Sequence, residues 1–271
     1  MKIALLQMPV TASRQENLDT AARYIKEAAA NGARLAVLPE MFCCPYTNDA
    51  FVAYAEEGGC ESWERMAACA KEAGITLVAG SIPEKESGRI YNSSMVFNPQ
   101  GERIARHRKM HLFDIDIKGG QRFKESDTFT PGDEVVVFEA DGVKMGLCIC
   151  FDMRFPELAR LLVQKGAQVI VCPAAFNMTT GPMHWELMFR QRAVDNQVYT
   201  LGAAPARDVN GPYVSYGNSI VCSPWGKVLA RAGAEPEILY ADLDMDEVAK
   251  VREQLPLLSA RRTDLYRLEE I

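Results

Sequence analysis

Apolar residues fall in short runs between polar turns, and their rhythm changes twice along the chain. Residues 3–8 (Ile-Ala-Leu-Leu-Gln-Met) read as a buried strand. A helix follows over about 17–30. Asn17 is its expected N-cap, Leu18, Ala21, Ala22, Ile25 and Ala29 share one face, and Asn31-Gly32 stops it. Residues 35–38 form a second buried strand, so the opening unit is β-α-β with parallel pairing. A helix over 62–73, with Ser62 as expected cap and Gly74 as stop, leads to a strand over 75–81. Consecutive strands then replace the βα repeat: 91–97 and 102–108 form a hairpin around Asn98-Pro99-Gln100-Gly101. Residues 114–129 read as a long polar loop containing Gly119-Gly120. A strand over 135–138 and a tight turn at Asp141-Gly142 feed an apolar strand that ends at Cys150. The βα rhythm then returns. A helix over 155–165 stops at Gly166, a strand covers 169–172, and residues 178–182 turn into a helix over 183–196. Strands are expected at 198–203, 214–222, 227–230 and 237–242, with turns at Asn210-Gly211 and Pro224-Trp225-Gly226, and a short helix at 244–253. The tail, 255–271, carries Leu257, Leu258, Leu265, Tyr266 and Leu268 and is expected to dock on another surface, such as a second subunit. No repeat or linker interrupts the chain. It reads as one α/β domain over 1–271, with two mixed sheets covered by helices.

Composition narrows the function. The 271 residues carry a formal charge of -6, which argues against a nucleic-acid binder. No apolar run reaches the ~18 residues of a membrane span, and a strand begins at once, so a cytoplasmic protein is expected. The eight cysteines lack a Cys-x-x-Cys pair, and neither a disulfide framework nor a zinc knuckle is expected. Cys148 and Cys150 point the same way on a strand and do not read as a redox pair. His107 and His111 are four apart, but their segment is strand-like and lacks a third ligand, so no metal site is expected. No phosphate-cradling glycine loop implies a cofactor.

Three residues are out of place at strand ends. Cys150 stands at a strand-to-helix corner, where nearby N–H groups favour a thiolate. Buried packing is the other reading of a cysteine there. Glu40 ends a buried parallel strand, where α/β proteins place ligands. Lys109 closes the hairpin and alone would pass for a surface cation. If the three converge, a carboxylate can take the thiol proton, and the ammonium can steady first the thiolate and then a tetrahedral oxyanion. Such a set breaks an amide or nitrile carbon–nitrogen bond through a thioester. Glu125 would be a fourth member, placing Lys109 or a water. His184, on the helix over 183–196, reads as a supporting group rather than a base.

Four segments, Leu38-Pro39-Glu40, Arg108-Lys109-Met110-His111-Leu112, Phe123-Lys124-Glu125-Ser126 and Ile149-Cys150-Phe151-Asp152-Met153-Arg154-Phe155-Pro156-Glu157, resemble in order and spacing the nitrilase superfamily of carbon–nitrogen hydrolases. The resemblance implies a four-layer α-β-β-α sandwich, with Glu40 as general base, Lys109 at the oxyanion, Cys150 as nucleophile and Glu125 in support. It also implies a homodimer, or a higher oligomer, paired through the helices after the nucleophile and the tail. Within the superfamily, 111–116, 176–187, 192–199, 206–208 and 264–266 are most similar to the omega-amidase branch, which hydrolyses 2-oxoglutaramate and 2-oxosuccinamate. A sister branch acting on deaminated glutathione shares much of this pattern. N-carbamoyl amino acids and nitriles are rival substrates, and an inactive scaffold is the alternative outside enzymes. Where relatives often have a small residue such as Gly, this chain has Cys148, adding bulk beneath the nucleophile. A dicarboxylic monoamide needs a cation for its far carboxylate. Arg154 is the candidate, or else it pairs structurally with Glu157 or Asp152. Tyr46, Phe113 and Phe176 are candidate walls, and Thr179 and Thr180 further contacts.

Overall fold

The computed structural model describes residues 1–58, 60–118 and 122–271. The chain runs β1 (Lys2–Gln7), α1 (Arg14–Ala30), β2 (Leu35–Val37), α2 (Asn48–Ala53), β3 (Glu56–Glu57), α3 (Glu61–Ala73), β4 (Thr76–Val78), β5 (Ile82–Glu86), β6 (Arg89–Phe97) and β7 (Arg103–Arg108). It continues through β8 (Asp114–Asp116), β9 (Arg122–Lys124), β10 (Val136–Ala140), β11 (Val143–Leu147), α4 (Pro156–Gln164), β12 (Val169–Pro173) and α5 (Gly181–Asn196). The last elements are β13 (Tyr199–Ala203), β14 (Ile220–Cys222), β15 (Val228–Arg231), β16 (Glu237–Asp242) and α6 (Asp246–Gln254).

Two mixed sheets stack, with helices outside each, as a four-layer α-β-β-α sandwich. The larger sheet has the order β16-β1-β2-β4-β6-β5-β3, with β7 paired to β6, and the smaller runs β10-β11-β12-β13-β14-β15. β1, β2 and β4 are parallel, as are β11, β12 and β13. The period of two along each strand divides its side chains between two cores. In β1, Ile3 and Leu5 face the other sheet, while Ala4 and Leu6 face α1 and α3. In β12, Val169 and Val171 face inward, while Ile170 and Cys172 meet Leu162, Trp185 and Phe189 of α4 and α5. Each such Leu or Ile adds roughly 1.5–3 kcal/mol of transfer free energy.

Several local expectations are corrected. Ser13 caps α1, accepting from the Glu16 N–H, while Asn17 is buried and bonds back to Thr11. Cys60 precedes α3 without a side-chain cap, and the buried Ser62 instead donates to Glu56. The strand expected over 75–81 ends at Val78. Gly80 takes φ +54°, and a Cβ there would lie 2.1 Å from the Pro39 carbonyl, so the chain leaves the sheet against Pro39-Glu40 before starting β5. The loop expected over 114–129 holds the β8–β9 hairpin and a 3₁₀ turn at Glu125–Asp127, joined by Ser126 donating to Asp114; its Gly119-Gly120 pair lies outside the described residues. The strand expected over 214–222 is confined to β14, because Gly217 and Asn218 both take positive φ. The tail forms neither helix nor strand. Leu258 packs near α4 and α5, and Lys165 pairs with Glu270 at 2.7 Å, but Leu265 and Tyr266 stay exposed.

Candidate active site

Glu40, Lys109, Glu125 and Cys150 meet in one buried cluster. Glu40 lies just beyond β2 and Lys109 just beyond β7, both from the larger sheet, while Cys150 lies beyond β11 of the smaller one. Lys109 Nζ donates to Glu40 Oε1 at 2.8 Å and to Glu125 Oε1 at 2.9 Å, and all three side chains are fully buried. The Tyr46 hydroxyl lies 2.5 Å from Glu125 Oε1 and 3.2 Å from Glu40 Oε1, so its one proton serves either. Glu125 Oε2 accepts from the Phe113 N–H at 2.7 Å. Glu40 Oε1 is crowded, accepting from Asn92 Nδ2 (2.9 Å) as well as Lys109, whereas among the described residues its buried Oε2 makes no well-formed hydrogen bond.

These contacts set the protonation states. Burial pushes the Glu40 carboxyl upward, and Lys109 only partly reverses this. The Cys150 thiol is close enough to bear on the same titration. Burial works against a charged Lys109, but Glu125 and Glu40 together outweigh it and hold the ammonium firmly protonated. Cys150 corrects the expectation of a ready thiolate. Burial, and then the Glu40 charge, push its thiol well up, and Lys109 and the Ala175 N–H offset them only in part. The turn after Cys150 is a single 3₁₀ turn, Cys150–Arg154, ahead of α4, and it supplies too little dipole to reverse burial. At rest the sulfur keeps its proton.

Cys150 sits at φ +45°, a strained position for a non-glycine residue. Asp152 holds that turn. It accepts from the Ile149 N–H (3.0 Å) and the His111 N–H (2.9 Å), and it lies 2.9 Å from His107 Nε2 and 2.8 Å from His111 Nδ1. His107 and His111 flank Lys109 in sequence, so one carboxylate pins the cysteine turn to the lysine segment. Burial alone would raise Asp152, but bonds from both histidines win and hold its carboxyl below the usual carboxylate range. The two histidines that share metal-like spacing thus share Asp152. Among the described residues, no group of three or more ligating side chains is placed to hold a metal.

Phe113, Phe151, Arg154, Ala175, Phe176, Thr180 and Tyr213 line the narrow space over Cys150. Arg154 pairs with neither Glu157 nor Asp152. Its Nη1 lies 3.0 Å from His184 Nδ1, its guanidinium sits 4.8 Å from the Phe176 ring centroid, and among the described residues its buried Nε has no partner. Thr180 is half-buried at this space, whereas Thr179 is exposed, its N–H bound by Asn177. Cys148 lies under the smaller sheet beside Cys172, in the core shared with α4 and α5. Sequence reasoning missed Asn92, Tyr213 and the clamping role of Asp152. The polar run Asn92-Ser93-Ser94 inside an otherwise buried strand was the available signal for the first.

This sandwich, with a thiol, a carboxylate and an ammonium buried together at its strand ends, is the architecture of a carbon–nitrogen hydrolase. Residues 2–253 match the carbon-nitrogen hydrolase family, and the chain belongs to it. It is 51% identical over 269 residues to the omega-amidase NIT2 of Xenopus tropicalis, covering 99% of this chain and 98% of that protein. It is 47% identical over 268 residues to the omega-amidase NIT2 of Homo sapiens, covering 99% and 97%. Among solved structures, Saccharomyces cerevisiae Nit3, a member of branch 10 of the nitrilase superfamily, superposes with TM-score 0.89 at 40% identity over 97% of this chain and 96% of that one. A variant of the amidase from Nesterenkonia sp. AN1, carrying the acetamide moiety of fluoroacetamide on its active-site cysteine, superposes at TM-score 0.80 and 27% identity, covering 98% and 95%.

Proposed function

We propose that this protein is a thiol amidohydrolase of the omega-amidase kind, cleaving small carboxylated amides such as 2-oxoglutaramate to the acid and ammonia. The supporting observation is the buried Oε2 of Glu40, which among the described residues makes no well-formed hydrogen bond, beside a Cys150 thiol that burial keeps protonated. Glu40 takes the thiol proton as sulfur attacks the amide carbon. Lys109 steadies the oxyanion, and Glu40 returns the proton to the leaving nitrogen as the carbon–nitrogen bond breaks. Water, deprotonated by Glu40, then opens the thioester and frees the thiol. Glu125 and Tyr46 hold Lys109 and Glu40 in register.

The raised Glu40 carboxyl fixes the sign of the pH dependence. The base must be ionised, so kcat/KM falls as pH drops through a value above the ordinary carboxylate range near ~4.3. A pH–rate profile with its acid limb at or below that range would argue against this assignment.

Arg154, which lines the space over Cys150 and has no carboxylate partner among the described residues, is the proposed anchor for the far carboxylate of the substrate. Arg154→Met is expected to raise KM for 2-oxoglutaramate by about 10- to 100-fold, the worth of a charge-assisted hydrogen bond. An uncharged short amide should be nearly unaffected. Equal losses on both would remove the anchor. Turnover of 2-oxoglutaramate, deaminated glutathione, N-carbamoyl amino acids and nitriles, measured side by side, tests the substrate class.

A homodimer belongs to the same proposal. Met183, Leu187 and Val194 share one exposed face of α5, with Trp225 and the tail's Leu255 and Leu257 exposed nearby. Such a face suits a second copy. Removing residues 255–271 is expected to weaken it, and a single-chain mass for the intact protein in sedimentation would reject it. Eight free cysteines fit a reducing, cytoplasmic compartment. Among the described residues, no helix is long and apolar enough to cross a membrane.

A further inference from the structure

The space around the cluster has two parts. One is the narrow space over Cys150, about 10 Å³ as it stands, with Arg154 and Phe176 in its lining. The other is a cavity of about 330 Å³ bordered by Glu40, Tyr46, Thr11, Ala206, Asp208 and Ser215. Two residues, Ala175 and Tyr213, line both. Tyr213 is the partition. Its ring stacks on Tyr46 at 4.5 Å and 28°, and its hydroxyl donates to the Ala175 carbonyl. It lies in an irregular segment between β13 and β14, so no sheet ladder fixes it.

The chemistry assigns the two sides. The acyl half of a substrate lies toward Arg154, if the reading above holds, on which this inference rests. The leaving nitrogen must take its proton from Glu40, so it faces the side that Glu40 borders. The larger cavity opens on that side. Ammonia needs roughly the ≈ 30 Å³ that a water molecule occupies in the liquid. The cavity is about tenfold larger, and it sits at the lower end of ligand-sized pockets. Its lining is mostly apolar, as an alkyl substituent on the leaving nitrogen requires, with the exposed Asp208 among its polar members.

We infer that this cavity is a leaving-group site for N-substituted amides, and that Tyr213, closed onto Ala175 and Tyr46, is the specificity-determining residue that confines turnover to unsubstituted amides. Shortening Tyr213 opens the site to amides of the same acid carrying a small alkylamine. Bond changes are unaltered: Glu40 protonates the departing amine instead of ammonia.

The test compares 2-oxoglutaramate with its N-butyl amide. Both yield the same acid, so one assay reads both. The intact protein should strongly prefer the unsubstituted amide, and Tyr213→Ala should raise the ratio of kcat/KM for the N-butyl over the unsubstituted amide by at least about 10-fold. Adding Ala12→Trp, at the cavity's exposed edge, should reverse the gain. Tyr213→Phe loses only the bond to Ala175. It should raise the ratio by a smaller factor, and it serves if the alanine variant does not fold. An unchanged ratio in the folded variants, or an intact protein that already accepts the N-butyl amide equally well, overturns the inference. Failure of the intact protein to release ammonia from 2-oxoglutaramate or any other unsubstituted carboxylated amide would instead reject the function proposed above.

Discussion

Replacing Cys150 with alanine is expected to lower kcat for ammonia release by about 10⁴-fold or more while leaving the circular-dichroism spectrum unchanged. Glu40 and Lys109 are tied to each other, and Cys148 packs against Cys172 under the smaller sheet. The fold should tolerate the change. Cys150 is buried but small, and alanine fits the same positive φ at similar strain. In the intact protein, mass spectrometry after rapid acid quench should find an acyl adduct on the peptide containing Cys150. Full turnover by the alanine variant would end the proposed mechanism. An intact protein that never acquires the adduct would favour an idle scaffold. That alternative already has to explain a fully buried Glu40–Lys109–Glu125 set beside the thiol.

Lys109→Met should damage both activity and stability. The ammonium is the cation between two fully buried carboxylates, Glu40 and Glu125. Removing it breaks a buried ionic set, at a cost of about 3–5 kcal/mol, which corresponds to a fall in Tm on the order of 10 °C in a protein of this size. The sign with pH follows from Glu40, whose carboxyl is already raised and would lose the charge that lowers it. Its folded value then stands further above the unfolded one. The variant's deficit is smallest in acid, where Glu40 is protonated in both proteins, and grows as pH rises above the ordinary carboxylate range, between the parent's raised value and the variant's still higher one. Thermal melts at two pH values check this. Lys109→Met combined with Glu125→Gln should recover part of the lost stability but none of the turnover. A single variant as stable as the parent would show that the cluster is less dry than its geometry indicates.

The βα rhythm, the hairpin into Cys150 and the three strand-end anomalies were legible because each departs from a period. A charged side chain ending an apolar run is visible without coordinates. Caps were less legible, because Ser13 and Asn17 are equally good N-caps by type and only tertiary burial separates them. The hairpin inside 114–129 is short and polar, with Ile115 and Phe123 as its apolar pair, so no alternation announced it. The thiol's protonation was misread because a corner in sequence says nothing of how completely Glu40 and the surrounding core enclose it. Asn92 and Tyr213 reach the site from a strand interior and a loop. Neither position carries a residue type that marks chemistry.

Glu40 and Lys109 come from one sheet and Cys150 from the other, so the proposed reacting atoms straddle the seam where Leu5, Val37, Leu147 and Val171 interdigitate. Catalytic rate therefore acts as a ruler for the gap between the halves of the sandwich. A molecule whose halves slip by an ångström would keep every helix and strand yet fall silent, and substitutions midway along that seam can mimic the loss of a reacting group they never touch.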